Sequence, residues 1–312
     1  MIFGGRPHPR PLFGGEGGRL YFWTSLSLTF AAQLVIRMER FADPVQLTPQ
    51  IQLGGSRLVL FAGPCAAESY DICMETGAAV KAICQDLGID YVFKASYDKA
   101  NRTSGGSYRG PSIDLGLEIL AMVKKDLNVP VVTDVHESYQ CADVASVVDV
   151  LQIPAFLCRQ TDLLVAAAKT GKPVKVKKGQ FMSPEDMQYA VDKVRKEGNP
   201  NVFLTERGTT FGYGNLVVDF RSLPIMRQYT PVVFDVTHSV QRPGGMGGKS
   251  GGDRQYAPYL ANAAAAVGVD GFFIETHPNP AKALSDGPNM VPLHEMRGFL
   301  ERLVSGWKVG LR

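Results

Sequence analysis

Four side chains scattered through the 312-residue chain, Cys65, His238, Glu275 and Asp286, are of types that ligate divalent metal ions: thiolate, imidazole and carboxylate. A mixed S/N/O set suits Zn, Fe, Mn or Co, and the residues do not choose among them. Composition alone favours a plainer account, with Cys65 a small buried thiol and His238 a hydrogen-bonded core histidine. A second group is cationic: Lys94, Lys99, Arg102, Arg159, Lys175, Lys177, Lys178 and Arg207 end or follow short β-branched runs. Ammonium and guanidinium groups gathered at one place select phosphate and carboxylate ligands. For any one of these lysines taken singly, a solvated strand end is the simpler explanation. A third feature is QRPGGMGGKSGG (241 to 252), six glycines in twelve positions around Lys249, a composition suited either to a lid over bound substrate or to a plain linker.

Chemistry of this kind needs elements that bring the groups together. From residue 58 onward, runs suited to strands alternate with longer amphipathic stretches. The runs are LVLFAG (58 to 63), YVFKAS (91 to 96), PVVTDV (130 to 135), VVDVLQI (147 to 153), PVKVKK (173 to 178), NVFLTE (201 to 206), PVVFDV (231 to 236) and GFFIE (271 to 275). Between them the period becomes helical: Ile72, Ala79, Ile83 and Leu87 fall on one face, as do Leu115, Ile119, Met122 and Val123. Ser183 followed by Pro184, Glu185 and Asp186 reads as a helix start, and Gly88 and Gly198 as helix stops. Strict alternation implies a parallel sheet, because each return must cross over through a helix. Eight such units predict an α/β chain folded as a (β/α)8 barrel, with VQLTPQIQLGG (45 to 55) adding an N-terminal hairpin below it. A doubly wound open sheet is the rival, but no GxGxxG follows the first strand.

In such a barrel the C-terminal strand ends carry the chemistry. Cys65 and Glu68 follow the first strand, and Lys94, Ser96, Asp98, Lys99, Asn101 and Arg102 end or follow the second. Asp134, His136 and Glu137 belong to the third, and Gln152 leads toward Arg159 on the fourth. Lys175, Lys177, Lys178 and Gln180 lie on the fifth, Glu206 and Arg207 on the sixth, Asp235 and His238 on the seventh, Glu275 and His277 on the eighth. Alternation puts Lys175 and Lys177 on one face of their strand. Charges are rarely placed inside a barrel without anionic partners, so Lys177 is expected to bind ligand, with a weaker case for Lys175.

Charge excludes one class of partner. Residues 1 to 37 hold Arg6, Arg10, Arg19 and Arg37 against Glu16, which leaves 29 of the 33 basic and 29 of the 30 acidic side chains in residues 38 to 312. A neutral body lacks the basic surplus of a nucleic-acid binder. Five cysteines without a Cys-rich framework fit a reducing cytoplasm. Leu20 to Ile36 is apolar but short and interrupted for a membrane span, so no membrane partner is expected. Residues 1 to 37 are expected to be a dispensable extension, disordered or outside the native enzyme, before a single catalytic domain over 38 to 312.

Taken as motifs, AGPC (62 to 65), FKASYDKANRTS (93 to 104), TDVHE (133 to 137), QIPAFLCRQTDLL (152 to 164), VKKGQF (176 to 181), ERGTTFGYGNLVVDFRSLPIM (206 to 226), FDVTHSVQ (234 to 241) and ETHPNPAKALSDGP (275 to 288) closely resemble the 3-deoxy-D-manno-octulosonate 8-phosphate synthase family, over roughly residues 45 to 295. The resemblance implies condensation of phosphoenolpyruvate with D-arabinose 5-phosphate and water, in making a lipopolysaccharide precursor, by a cytoplasmic homotetramer. It implies that Lys94, Lys177 and Arg207 clamp phosphoenolpyruvate, with Gln152 and Ala155 beside them, and that Ser96 binds substrate. Lys99, Asn101, Arg102 and Thr103 are implied to receive arabinose 5-phosphate, and Arg159 to reach its phosphate from a neighbouring subunit. His238, Lys94 and Asn101 are the catalytic residues on this reading. Cys65 assigns the chain to the metal-dependent branch, with His238, Glu275 and Asp286 completing the site. Thr103 stands where Ser is usual. The related 3-deoxy-D-arabino-heptulosonate 7-phosphate synthases use erythrose 4-phosphate and carry KPRTS where this chain has KANRTS. A non-catalytic phosphosugar-binding barrel is the rival of another class.

Overall fold

The computed structural model describes residues 41 to 102, 104 to 106, 108 to 210, 214 to 244 and 251 to 310. Residues 1 to 37, Thr103 and Lys249 therefore lie outside the described residues. From Phe41 on, the chain forms one compact unit. A hairpin of β1 (Val45–Thr48) and β2 (Ile51–Leu53) comes first. Then β3 (Val59–Gly63), α1 (Tyr70–Leu87), β4 (Asp90–Lys94), α2 (Ile113–Leu127), β5 (Val131–Asp134), α3 (Gln140–Val147), β6 (Val150–Ile153), α4 (Thr161–Lys169), β7 (Val174–Lys177), α5 (Met187–Lys196) and β8 (Val202–Glu206) alternate. A short hairpin of β9 (Thr209–Thr210) and β10 (Leu216–Val217) precedes α6 (Ser222–Arg227) and β11 (Val232–Asp235). The pair β12 (Gln241–Arg242) and β13 (Gly251–Gly252), α7 (Ala257–Val267), β14 (Gly271–His277), β15 (Val291–Pro292) and α8 (Met296–Val309) complete the chain.

Strands β3, β4, β5, β6, β7, β8, β11 and β14 pair in parallel in that order, and β14 pairs back onto β3. The sheet is closed, an eight-stranded (β/α)8 barrel as the alternation predicted. The expected runs match these strands with small offsets. Val147 belongs to the end of α3 rather than to a strand, and β4 leaves its ladder at Lys94, after which Ser96 bridges only to Ala66.

Pleating sorts the side chains into two layers. Leu60, Phe93, Leu151, Val174, Val176, Leu204, Phe234, Phe272 and Ile274 face outward against the helices. Val59, Phe61, Val92, Val132, Val150, Phe203, Val233 and Phe273 face inward, and Val45, Leu47, Ile51 and Leu53 of the hairpin cover their lower end. The hairpin is therefore the floor expected from the sequence. Continuing each inward row by one pleat reaches Lys94, Asp134, Gln152, Lys177, Asp235 and Glu275, all buried. The pleat that makes the lower interior apolar makes its upper end ionic.

The helix faces differ from the periodic reading. In α1 the buried stripe runs through Cys73, Thr76, Gly77, Val80, Ile83 and Cys84, and in α2 through Gly116, Ile119, Leu120, Val123 and Leu127, leaving Leu115 and Met122 exposed. Small residues occupy the closest approaches: a Cβ on Gly116 would stand 2.5 Å from Tyr97 Cβ. Hydrophobicity patterns weight large residues, and close helix packing selects small ones. Gly88 ends α1 in the left-handed conformation, φ 69°. Ser183 Oγ accepts from Asp186 N–H at 3.2 Å and caps the turn leading into α5, which begins at Met187.

Candidate active site

The C-terminal strand ends open into a cavity of about 1400 Å³ lined by Lys94, Lys99, Asn101, Arg102, Asp134, Gln152, Ala155, Lys177, Arg207, His238 and Asp286 among others. Groups from seven of the eight barrel strands or the loops after them thus share one chamber. Four described residues of the expected set do not line it: Cys65 and Glu275, buried behind the wall, and Ser96 and Arg159. Ser96 is buried beneath the wall and acts through hydrogen bonds. Arg159 is exposed and does not line the cavity; its carbonyl accepts from Lys193 Nζ at 2.9 Å.

The first cluster forms where β4 and β5 end. Ser96 Oγ accepts from Lys94 Nζ at 2.7 Å and from Lys99 Nζ at 2.9 Å, and donates to Asp134. Gln152 Nε2 donates to the other oxygen of Asp134. Lys94 Nζ lies 3.8 Å from Glu275 Oε1 and Lys99 Nζ 4.0 Å from it. Burial lowers the Lys94 pKa, with Asp134 opposing, and lowers that of Arg207, with Asp235 opposing. Burial also disfavours charge on Lys99, but neighbouring acidic groups outweigh it and raise its pKa. Buried Asp134 is held well below the ordinary carboxylate range by Lys94 and Lys99.

The second cluster forms where β7 and β11 end. Asp235 Oδ2 stands 2.6 Å from Lys177 Nζ and 2.8 Å from His238 Nδ1, and Oδ1 also accepts the His238 backbone N–H at 2.9 Å. Burial works against a charged imidazole, yet Asp235 raises the His238 pKa. With Nδ1 turned to Asp235, Nε2 points at Glu275 Oε1 (3.6 Å) and Asp286 Oδ2 (3.8 Å). A carboxylate behind a histidine in this way fixes its ring orientation and the free nitrogen. Arg207 donates to Gln241 Oε1 at 2.9 Å, while its Nε and Nη1 are buried without a hydrogen-bond partner.

The donor atoms of Cys65, Glu275 and Asp286 lie within 4.8 Å of one another. Cys65 Sγ is 3.4 Å from Asp286 Oδ2, the same oxygen that His238 Nε2 approaches, and 3.0 Å from Ser285 Oγ. Both Glu275 carboxylate oxygens are buried without a hydrogen-bond donor. Burial, and next the charge of Glu275, keep the Cys65 thiol protonated far above its ordinary range. A buried carboxylate with open lone pairs beside a thiol and an imidazole nitrogen is a donor set that a divalent cation fits. Asp286 holds the left-handed conformation, φ 50°, uncommon for a residue other than glycine.

Sequence reasoning noted Asp134 and Asp235 as strand-end residues without giving either a role. The signal for Asp235 was its place three residues before His238 at a strand terminus. Gln241 and Ser285 were missed, and only their contacts single them out. Lys175 points inward as alternation allowed, but it has no carboxylate partner. Its Nζ makes no hydrogen bond and lies over the rings of Phe61 (4.9 Å) and Phe273 (4.1 Å).

A family model described as the DAHP synthetase I family matches residues 38–308. A protein of Cyanothece sp. named 2-dehydro-3-deoxyphosphooctonate aldolase is 57% identical over 263 residues, covering 84% of this chain and 96% of its own. Proteins with the same name from Fusobacterium nucleatum (57% over 249 residues, 80% of this chain, 90% of its own) and Koribacter versatilis (58% over 257 residues, 81% and 92%) are similarly close.

Proposed function

The chain belongs to the DAHP synthetase I family, and we infer that it is an enzyme with 2-dehydro-3-deoxyphosphooctonate aldolase activity. It condenses phosphoenolpyruvate with D-arabinose 5-phosphate and water, releasing inorganic phosphate, and supplies a lipopolysaccharide precursor. The observation that carries this reading is one cavity whose wall holds Lys94, Lys177 and Arg207, then Lys99 and Arg102, together with His238 and Asp286 of the ligand set.

Phosphoenolpyruvate is an enol ether whose C3 is a mild nucleophile. The site must hold that carbon against an aldehyde carbon and admit water at C2, so that a C–C bond and a C–O bond form while the phosphate leaves. Lys94, Lys177 and Arg207 bind the phosphate and carboxylate of phosphoenolpyruvate, with Gln152 and Ala155 beside them. Lys99, Asn101, Arg102 and Thr103 receive the sugar phosphate. Fixing both reactants contributes about 7 to 11 kcal/mol toward the barrier. Cys65, His238, Glu275 and Asp286 would hold a divalent cation, Zn, Fe, Mn or Co, which supplies Lewis acidity beside the reacting centres. His238, held by Asp235, is placed to carry a proton as well.

The finer features form part of the same proposal. The enzyme works in the cytoplasm as a homotetramer in which Arg159 completes a neighbouring subunit's sugar-phosphate site, and residues 1 to 37 stand outside the catalytic domain. Among the described residues no helix is long and apolar enough to cross a membrane.

Phosphate release from phosphoenolpyruvate tests the reading, with arabinose 5-phosphate or erythrose 4-phosphate as co-substrate, before and after chelation. Turnover with the five-carbon sugar, lost on chelation and restored by a divalent cation, is expected. Turnover with erythrose 4-phosphate alone would transfer the chain to the heptulosonate reaction. Silence with both sugars after metal restoration would reject an enzyme of this kind.

A further inference from the structure

Phe273 stands one pleat below Glu275 on β14, with its ring inside the barrel. Four functional or charged groups, from β4, β7 and the turn after β11, converge on that ring. The ammonium nitrogens of Lys94, Lys177 and Lys175 lie 5.4, 5.0 and 4.1 Å from its centroid, and the His238 imidazole packs against it with centroids 5.6 Å apart. Below, Phe61 stacks on Phe203 at 5.6 Å and carries the other side of Lys175 at 4.9 Å.

Three lysine amines crowd one dry space, where positive charge on one disfavours charge on the next, and each long side chain has many rotamers. An aromatic face attracts cations through its quadrupole, more strongly when water is excluded, and adds no competing anion. Asp235 already pairs with Lys177, and Glu275 and Asp134 lie near Lys94; a further carboxylate at the ring's position would add negative charge that repels the incoming phosphate and carboxylate groups. Resting on the proposed function for the roles of Lys94 and Lys177, we propose that Phe273 is a positioning residue of the phosphoenolpyruvate clamp, its ring face holding both ammonium groups in place before substrate arrives. Phe273 does not touch the reacting atoms on this proposal. Its effect is on affinity for phosphoenolpyruvate.

Site-specific replacement of Phe273 by 4-fluoro-, 3,4,5-trifluoro- and pentafluorophenylalanine tests this, because fluorine drains the negative ring face while nearly preserving shape. The Kd for phosphoenolpyruvate is measured by titration calorimetry on the metal-replete enzyme, with KM for arabinose 5-phosphate and Tm followed in parallel. The expected result is a stepwise weakening of phosphoenolpyruvate binding, reaching about ten-fold at the pentafluoro ring, with KM for the sugar phosphate changed less than two-fold and Tm nearly constant. A Kd flat across the series, or a loss that follows a fall in Tm, would overturn the proposal. If the unsubstituted enzyme binds no phosphoenolpyruvate, the failure lies with the functional reading and not with Phe273.

Discussion

Asp235 joins the two sides of the site: one carboxylate holds Lys177 and His238 and accepts a backbone N–H that starts the turn carrying His238. Asp235→Asn keeps the shape but loses the charge. It is expected to lower kcat/KM and divalent-metal affinity by about 10- to 100-fold, measured by steady-state kinetics and metal titration; unchanged values for both would remove Asp235 from the site. Cys65→Asn replaces a soft donor by a neutral oxygen or nitrogen and should reduce bound metal after dialysis, while some activity survives. Metal content equal to the unsubstituted protein would mean that Cys65 is not a ligand. Lys175 is a different case, fully buried with a nitrogen that finds only ring faces, and burial followed by the nearby charge of Lys177 pushes its pKa well down. Lys175→Met fills the same space and keeps contact with both rings. The variant should gain about 1 to 3 kcal/mol of stability by urea titration, the cost of an unpartnered buried polar group. A loss instead would show that the ammonium and its ring contacts outweigh their desolvation.

Elements reach the site through a few close approaches of backbone. β3 lies against β4 so tightly that a Cβ on Gly63 would run into the carbonyl of Lys94, and two residues later the same chain delivers Cys65. Gly63→Ala must therefore push these strands apart at their active ends. It should cost about 1 to 3 kcal/mol of stability and also weaken metal binding; a full loss of stability with metal affinity intact would separate the strand contact from the ligand set. The loop after β14 uses the same device, since a Cβ on Gly287 would meet the carbonyl of Pro280, and the preceding Asp286 takes its left-handed turn there. The glycine-rich segment 241 to 252 is pinned at its base by antiparallel pairing of β12 with β13, while Lys249 lies outside the described residues.

Over the whole molecule, all five cysteines are free and buried. Burial pushes the Cys73 and Cys84 thiols from an ordinary 9.0 up to about 12, and Cys141 up to about 11. Thiols held protonated in the folded state stabilise it fully below pH 9, and that stability is lost as pH rises toward 12, because the unfolded chain releases those protons first. Buried Tyr91 adds to the same trend. The urea midpoint should fall between pH 8.5 and 10.5, while a disulfide reagent at pH 8 labels the native protein slowly and the denatured protein at five sites. Rapid labelling of the folded protein would contradict this packing of the thiols.

Periodicity was enough for the barrel: eight β-branched runs, each followed by a helical stretch, leave few other closed arrangements. It was also enough to place Lys94, Lys177, Asp235 and Glu275 at strand ends, because a two-residue repeat is written directly in the chain. Spacing could not decide which of them meet. Cys65 and Asp286 stand 221 positions apart and share a contact only because β14 closes against β3. The sequence put Lys177 ahead of Lys175 as a ligand-binding residue, but their alternation on one strand could not show that Lys177 pairs with Asp235 while Lys175 lies between two rings. Local pattern fixes what each strand turns inward, and sheet closure alone sets the distances across the interior on which ion pairing and ligand geometry depend.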